Sequence, residues 1–349
     1  MCEPSGPQLA PSSTSNLLVF CGSFVSLISV CTNSILLYSL RTNQKCFRSY
    51  FYFLYILAFL DILISLLYIP VIAFDHWKDA FESRLLSVIW WSCFRYLLTL
   101  TNVGMTMASY ILLGALAERY FITIRSRVVK RLQENRHLYC ALAGVFALFT
   151  KGPIFLEFTL IEYSEKSCTG TYKEYFVDVT PLVRTLWYGS IYRFWLRNFL
   201  TIFIPFSLLL FINIRTVQIL KSQIYQAKHM IKRKFSVSLA GRKKVRAATK
   251  TLLLVCLTYL LSNLPNVIIT AWEFIDINDL QKNHVDLYMF TTDLVSLLVM
   301  LACALRLPIY LLSNEELRLV VKKCFGGSRA TGELLKTASQ LYTAALHQN

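Results

Sequence analysis

The chain has 349 residues, of which 55 % are hydrophobic and only 16 % charged, a composition too apolar to dissolve as a globular domain of that length. Its net charge of +16 raises nucleic acid as a partner, but the excess sits in short connectors between apolar runs. There it sets membrane topology and meets anionic lipid, which argues against nucleic-acid binding.

Residues 1–16, rich in Ser and Pro, contain no basic n-region and no convincing processing site. They are expected to be an extracellular segment, with the first helix acting as an uncleaved signal. Seven runs of roughly 20 or more mostly apolar residues follow, at about 17–40, 50–74, 88–124, 138–161, 191–220, 248–272 and 287–312. At ~1.5 Å rise per residue each spans the ~30 Å hydrocarbon core as a helix.

In the loops after the first, third and fifth runs every charged residue except Glu134 is basic, from Arg41, Lys45 and Arg48 to the Lys221–Lys250 stretch. The opposite loops are dominated by acids, among them Asp75, Glu157, Glu174, Asp178, Glu273 and Asp286. The positive-inside rule therefore puts the N-terminus outside and the C-terminus in the cytosol. After the seventh run, Asn314 followed by Glu315 and Glu316, with Lys322 and Lys323 behind, reads as a short helix over 313–325. Its apolar face, Leu317, Val320, Val321, Cys324 and Phe325, suits the membrane surface, and Cys324 is a palmitoylation candidate. Residues 326–349 complete a cytoplasmic tail. The expected fold class is an all-α membrane protein, a seven-transmembrane helix bundle over 17–312. With no phosphate-binding glycine loop and no His/Cys cluster at metal spacing, no catalytic residue, cofactor or metal is expected.

Glu118, Arg119 and Tyr120 stand at the cytosolic end of the third run, just before a basic loop. Asn33 lies within the first run, Leu57-Ala58 and Asp61 form Leu-Ala-x-x-Asp in the second, Pro205 and Pro265 interrupt the fifth and sixth, and Tyr310 closes the seventh. Over about residues 17–325 this set resembles the rhodopsin-like (class A) G-protein-coupled receptors. The resemblance implies a plasma-membrane receptor, not an enzyme, that binds an extracellular ligand and activates a heterotrimeric G-protein, with arrestin and a receptor kinase as further partners. Ser328, Thr331, Thr337, Ser339 and Thr343 are the tail positions open to such a kinase.

By the same resemblance Arg119 contacts the G-protein, Glu118 holds Arg119 at rest, and Tyr120, Asp61, Arg306, Tyr310, Asn213 and Pro265 take part in coupling or activation. A bridge between Cys93 and Cys168 is implied too, and these are the two cysteines placed to meet on the oxidising side. Two free thiols are the alternative. The basic stretches Lys228–Lys234 and Arg242–Arg246 are expected to contact lipid headgroups and the partner.

Departures from the family pattern narrow the branch. Ser262-Asn263-Leu264-Pro265 lacks the tryptophan of Cys-Trp-x-Pro, Arg306-Leu307-Pro308-Ile309-Tyr310 stands for Asn-Pro-x-x-Tyr, and Asn213 occupies a common tyrosine position. Thr101 stands where amine receptors carry an aspartate, which argues against an amine ligand. The pattern resembles the invertebrate and nematode FMRFamide-type neuropeptide receptors, implying an extracellular peptide ligand. A chemosensory receptor for a small environmental molecule is the alternative. A transporter or channel would call for inverted repeats or a midplane ion site, and the sequence has neither beyond proline kinks.

The ligand-pocket candidates are Arg95, Thr101, Lys151, Arg193, Arg197, Trp272 and Asp293. Lys151 is chosen as an ionisable group within a span. Arg193 and Arg197 share a helix face and either receive an anionic ligand group or pair with acids such as Glu174 or Asp178, the pairing being preferred. Acidic outer loops would attract a basic peptide, or reflect topology bias alone. Finally, the family match brings Asp61 and Arg306 to one level, while Ala108 replaces the usual serine. A direct ion pair is expected there in place of a sodium site, the alternative being Arg306 turned toward a water-filled cavity near Tyr310.

Overall fold

A computed structural model describes residues 13–42, 51–162, 170–230 and 237–313, together with 315, 317–319 and 321. Among these, seven helices are long and apolar enough to cross a membrane. They are α1 (Ser13–Thr42), α2 (Tyr52–Tyr68, prolonged through Ile69–Ala73 and Phe74–Ala80), α3 (Arg84–Thr123), α4 (Arg136–Lys151), α5 (Leu186–Leu196, Phe199–Phe203 and Ile204–Met230), α6 (Val237–Lys282) and α7 (Val285–Ser313).

Local sequence explains where these helices start and widen. Ser83 caps α3, its hydroxyl accepting from the Leu86 amide at 3.4 Å. Pro70 lies inside the π-helical turn Ile69–Ala73, and Pro205 directly follows the π-helical turn Phe199–Phe203. Proline offers no N–H and crowds the preceding turn, so a widened turn lets the helix continue.

The fourth apolar run does not stay helical to residue 161. At Gly152-Pro153 α4 gives way to a 3-10 turn, Gly152–Leu156. Phe158–Glu162 then forms strand β1, which pairs antiparallel with β2 (Tyr175–Val179) from Phe158↔Val179 to Glu162↔Tyr175. Hydropathy alone counts Phe-Thr-Leu-Ile as span. Aromatic and β-branched residues beyond a Gly-Pro break suit a hairpin better.

Helix α1 packs on α2 and α7, α3 touches α2, α4, α5 and α6, and α6 lies against α7 and α5. The bundle turns its apolar side outward: Leu138, Leu142, Val145, Leu148 and Phe149 are all exposed on α4. Serines and Asn33 are buried between α1 and its neighbours. Hydroxyls in the spans fold back on their own helix, as Ser23 donates to the Val19 carbonyl at 2.9 Å and Thr216 to Ile212 at 2.7 Å. In hydrocarbon no water would satisfy them.

Beyond α7 the expected membrane-facing stripe is corrected. Leu317 and Val321 are buried against the bundle, with Leu317 in the main core. Arg318 caps α7, donating to the carbonyls of Leu311 at 2.8 Å and Leu312 at 3.0 Å, and these contacts turn the segment inward. Cys324, Cys168, the tail sites and the side chains of Lys228–Lys234 and Arg242–Arg246 lie outside the described residues.

One close approach is decisive for the outer end of α5. The Gly189 amide donates to the Thr185 carbonyl at 2.8 Å, and a Cβ at Gly189 would lie 1.8 Å from the Val183 carbonyl oxygen. Backbone would have to move, so Gly189→Ala is expected to cost about 1–3 kcal/mol and to lower the thermal midpoint of the purified protein. Gly144→Ala, whose Cβ would meet Met107 at an ordinary 3.6 Å, should leave that midpoint unchanged.

Candidate functional site

Polar residues concentrate along the bundle axis at three levels. At the middle level α1, α2 and α7 share one continuous network. Ser26 donates to the Ser65 carbonyl, and the Ser65 hydroxyl donates to Ser29 Oγ at 2.7 Å. Asn33 Nδ2 donates to the carbonyls of Ser29 at 2.9 Å and Cys303 at 3.1 Å. The Cys303 thiol reaches Asp61 Oδ1 at 3.5 Å, and Arg306 Nη1 donates to Asp61 Oδ2. Asp61 is 0 % exposed and Arg306 4 %, so this is an ion pair inside the protein.

The inner level centres on the end of α3. Arg119 is buried and lines a small cavity of about 40 Å³ with Glu118, Tyr310, Thr251, Leu57 and Ala115. Glu118 accepts from Arg136 of α4 on both oxygens, Nε to Oε2 at 2.8 Å and Nη2 to Oε1, and from Gln133 at 3.4 Å. Arg136, the partner that this carboxylate finds on α4, was not among the residues expected here. An arginine one span away gives no local signal of its partner. Tyr120 packs edge-on against Phe121. Asn213 of α5 donates to the Leu253 carbonyl of α6 at 3.4 Å, and Gln223 of α5 donates to the Thr123 carbonyl of α3 at 2.9 Å. Both contacts cross between helices, the first from α5 to α6 and the second from α5 to α3. Pro265 lies inside α6.

The outer level holds a cavity of about 370 Å³ between α2, α3, α5, α6 and α7, within the range that takes small ligands. Thr101 and Lys151 line it, as do Asn102, Asn263, Asn266 and Phe206. Toward the α5–α6 edge a wider vestibule of about 620 Å³ is lined by Arg193, Arg197, Glu273 and Tyr288.

The expected partners of these arginines are corrected. Both bind Glu157, which is 1 % exposed at the end of the 3-10 turn after α4. Arg193 Nε donates to Oε2 at 3.0 Å, Arg197 Nη1 donates to Oε1, and the Tyr188 hydroxyl donates to Oε1 at 2.9 Å. Glu174 and Asp178 pair with Arg84 and Arg184 instead. Charge bias in the outer loops hides Glu157 among exposed acids, and only its burial sets it apart.

Three candidates stand apart from both cavities. Arg95 is exposed and lies over the Phe155 ring at 5.1 Å. Trp272 packs on His284 at 5.3 Å, and Asp293 is half-buried on α7 but lines neither cavity. Cys93 is an exposed free thiol at the outer end of α3.

Against known proteins, the family described as 7 transmembrane receptor (rhodopsin family) matches residues 32–306. No curated protein matches the chain.

Removing one member of a buried ion pair strands the other, at a cost of about 3–5 kcal/mol. Asp61→Asn and Arg306→Asn are each expected to lower the thermal midpoint and surface delivery sharply. The reciprocal swap, Asp61→Arg with Arg306→Asp, should recover part of the loss. Strictly additive losses in this double-mutant cycle would count against the pair as a coupled unit.

Proposed function

Because the chain belongs to the rhodopsin family of seven-transmembrane receptors, which signal through heterotrimeric G-proteins and are not enzymes, we propose that it converts binding of an extracellular neuropeptide into G-protein activation. It is a multi-pass protein of the plasma membrane. The observation that carries the reading is the pairing of two cavities on one axis, an outer one of about 370 Å³ and an inner one walled by Arg119, with the Asp61–Arg306 pair between them. The wide vestibule lined by Trp195, Phe194 and Tyr288 supports a peptide, since it offers an aromatic surface in addition to the outer cavity. The resemblance of the sixth and seventh spans to invertebrate peptide receptors supports the same reading.

The mechanism is a population shift. A ligand raises the active fraction only by binding that arrangement more tightly, about 1.4 kcal/mol for each tenfold change. The contacts that must rearrange are the Asn213–Leu253 and Gln223–Thr123 ties between α5 and its neighbours. Arg119 then presents its guanidinium to the G-protein, while Arg136 holds Glu118 and so fixes the end of α3 as a platform.

A small-molecule ligand is the second reading, favoured by the volume of the outer cavity, about 370 Å³. Cells expressing the receptor, challenged with peptide and odorant-like libraries in calcium and cAMP assays, separate the two. Arg119→Ala should abolish basal and ligand-evoked signalling by at least tenfold while surface delivery stays near normal. Wild-type signalling from that variant would falsify the role given to Arg119.

A further inference from the structure

Lys151 is the one charged side chain among the described residues lining the 370 Å³ cavity. Among the described residues its ammonium has no salt-bridge or hydrogen-bond partner, although it lies within α4, a membrane span. Three buried acids of the bundle each have an arginine partner: Asp61 has Arg306, Glu118 has Arg136, and Glu157 has Arg193 and Arg197. Glu157, six residues along the chain, makes its hydrogen bonds to two guanidiniums and the Tyr188 hydroxyl and none to Lys151, and the field it adds at Lys151 is opposed by that of Arg197. An ammonium within a membrane span is unfavourable unless something compensates it.

The rest of the cavity wall says what shape the compensation takes. Apolar side chains such as Ile64, Leu98, Met105, Phe206 and Val299 surround it, and its remaining polar groups are neutral hydroxyls and amides. No acid is among its lining residues, so the one formal charge that a ligand group meets on the wall is the Lys151 ammonium. On these grounds we propose that the cavity binds a carboxylate carried on an apolar body, with the carboxylate against Lys151. A free peptide C-terminus and a small organic acid share this chemistry. The inference rests on the receptor reading above and adds the class of group that the ligand must present.

Purified receptor in lipid nanodiscs is the test material, and the readout is the thermal midpoint by intrinsic fluorescence over a titration. The probes are hexanoate, decanoate, 4-phenylbutyrate and N-acetyl-Leu-Phe, each beside its own primary amide. Acids are expected to bind roughly tenfold to a hundredfold more tightly than amides, the strength of a charge-assisted hydrogen bond in a buried site. Lys151→Met should abolish this preference and raise the midpoint of the empty receptor, whereas Lys151→Arg should retain the preference. Binding by N-acetyl-Leu-Phe alone assigns the carboxylate to a peptide end, and binding by the simple acids assigns it to a small organic acid.

Equal binding of acids and amides, an acid preference surviving in Lys151→Met, or no stabilisation by any acid at millimolar concentration overturns the proposal. The measurement involves no G-protein. Failure of the receptor reading, seen as intact signalling in Arg119→Ala, is therefore distinguishable from failure here.

Discussion

A carboxylate and a guanidinium enclosed at mid-bundle, Asp61 on α2 and Arg306 on α7, constrain most of what surrounds them. Neither could face hydrocarbon, and each alone would be stranded, so α2 and α7 must meet at this level in this rotation. Asn33 and Ser29 on α1 extend the same network to the Cys303 carbonyl and to Ser65, which brings a third helix into register. In lipid the hydrophobic effect does not sort one helix face from another, and buried polar contacts of this kind take over much of that task. The apolar faces are left free to point outward, as on α4.

Two further acids repeat the device at the ends of the bundle. Glu118 binds Arg136 and ties α3 to α4 near the cytosol. Glu157 gathers Arg193, Arg197 and Tyr188 and ties the end of α4 to α5 near the outer face. In each case arginine is the partner, and its planar fork can satisfy both carboxylate oxygens at once, which a lysine cannot do. Against this background Lys151 differs: among the described residues it has no ion pair, and it lines the outer cavity.

The departures from family motifs have visible consequences. Where relatives carry an asparagine in α7, Arg306 supplies the positive charge itself, so no bound cation is needed to neutralise Asp61. The α5–α6 contact near the inner face rests on Asn213 and a backbone carbonyl, a weaker tie than a charged clamp.

The sequence by itself determined the number of spans and, through loop charge, their expected orientation, whereas the level at which Asp61 meets Arg306 came from the resemblance to the family. Span length and loop charge are local or additive quantities, legible without knowing how helices pack. It misjudged the end of the fourth span, because hydropathy does not distinguish Phe158–Glu162 as a strand from a helix, and it placed Leu317 and Val321 on lipid when they belong to the core. Motif positions such as Arg119 and Tyr310 were legible through resemblance. The partners of Glu118, Arg193 and Arg197 were not. Which acid an arginine finds in another helix depends on the rotation and axial offset of both helices, and those are settled only when all seven pack together. Helical periodicity places a residue on a face; the packed bundle decides what that face meets.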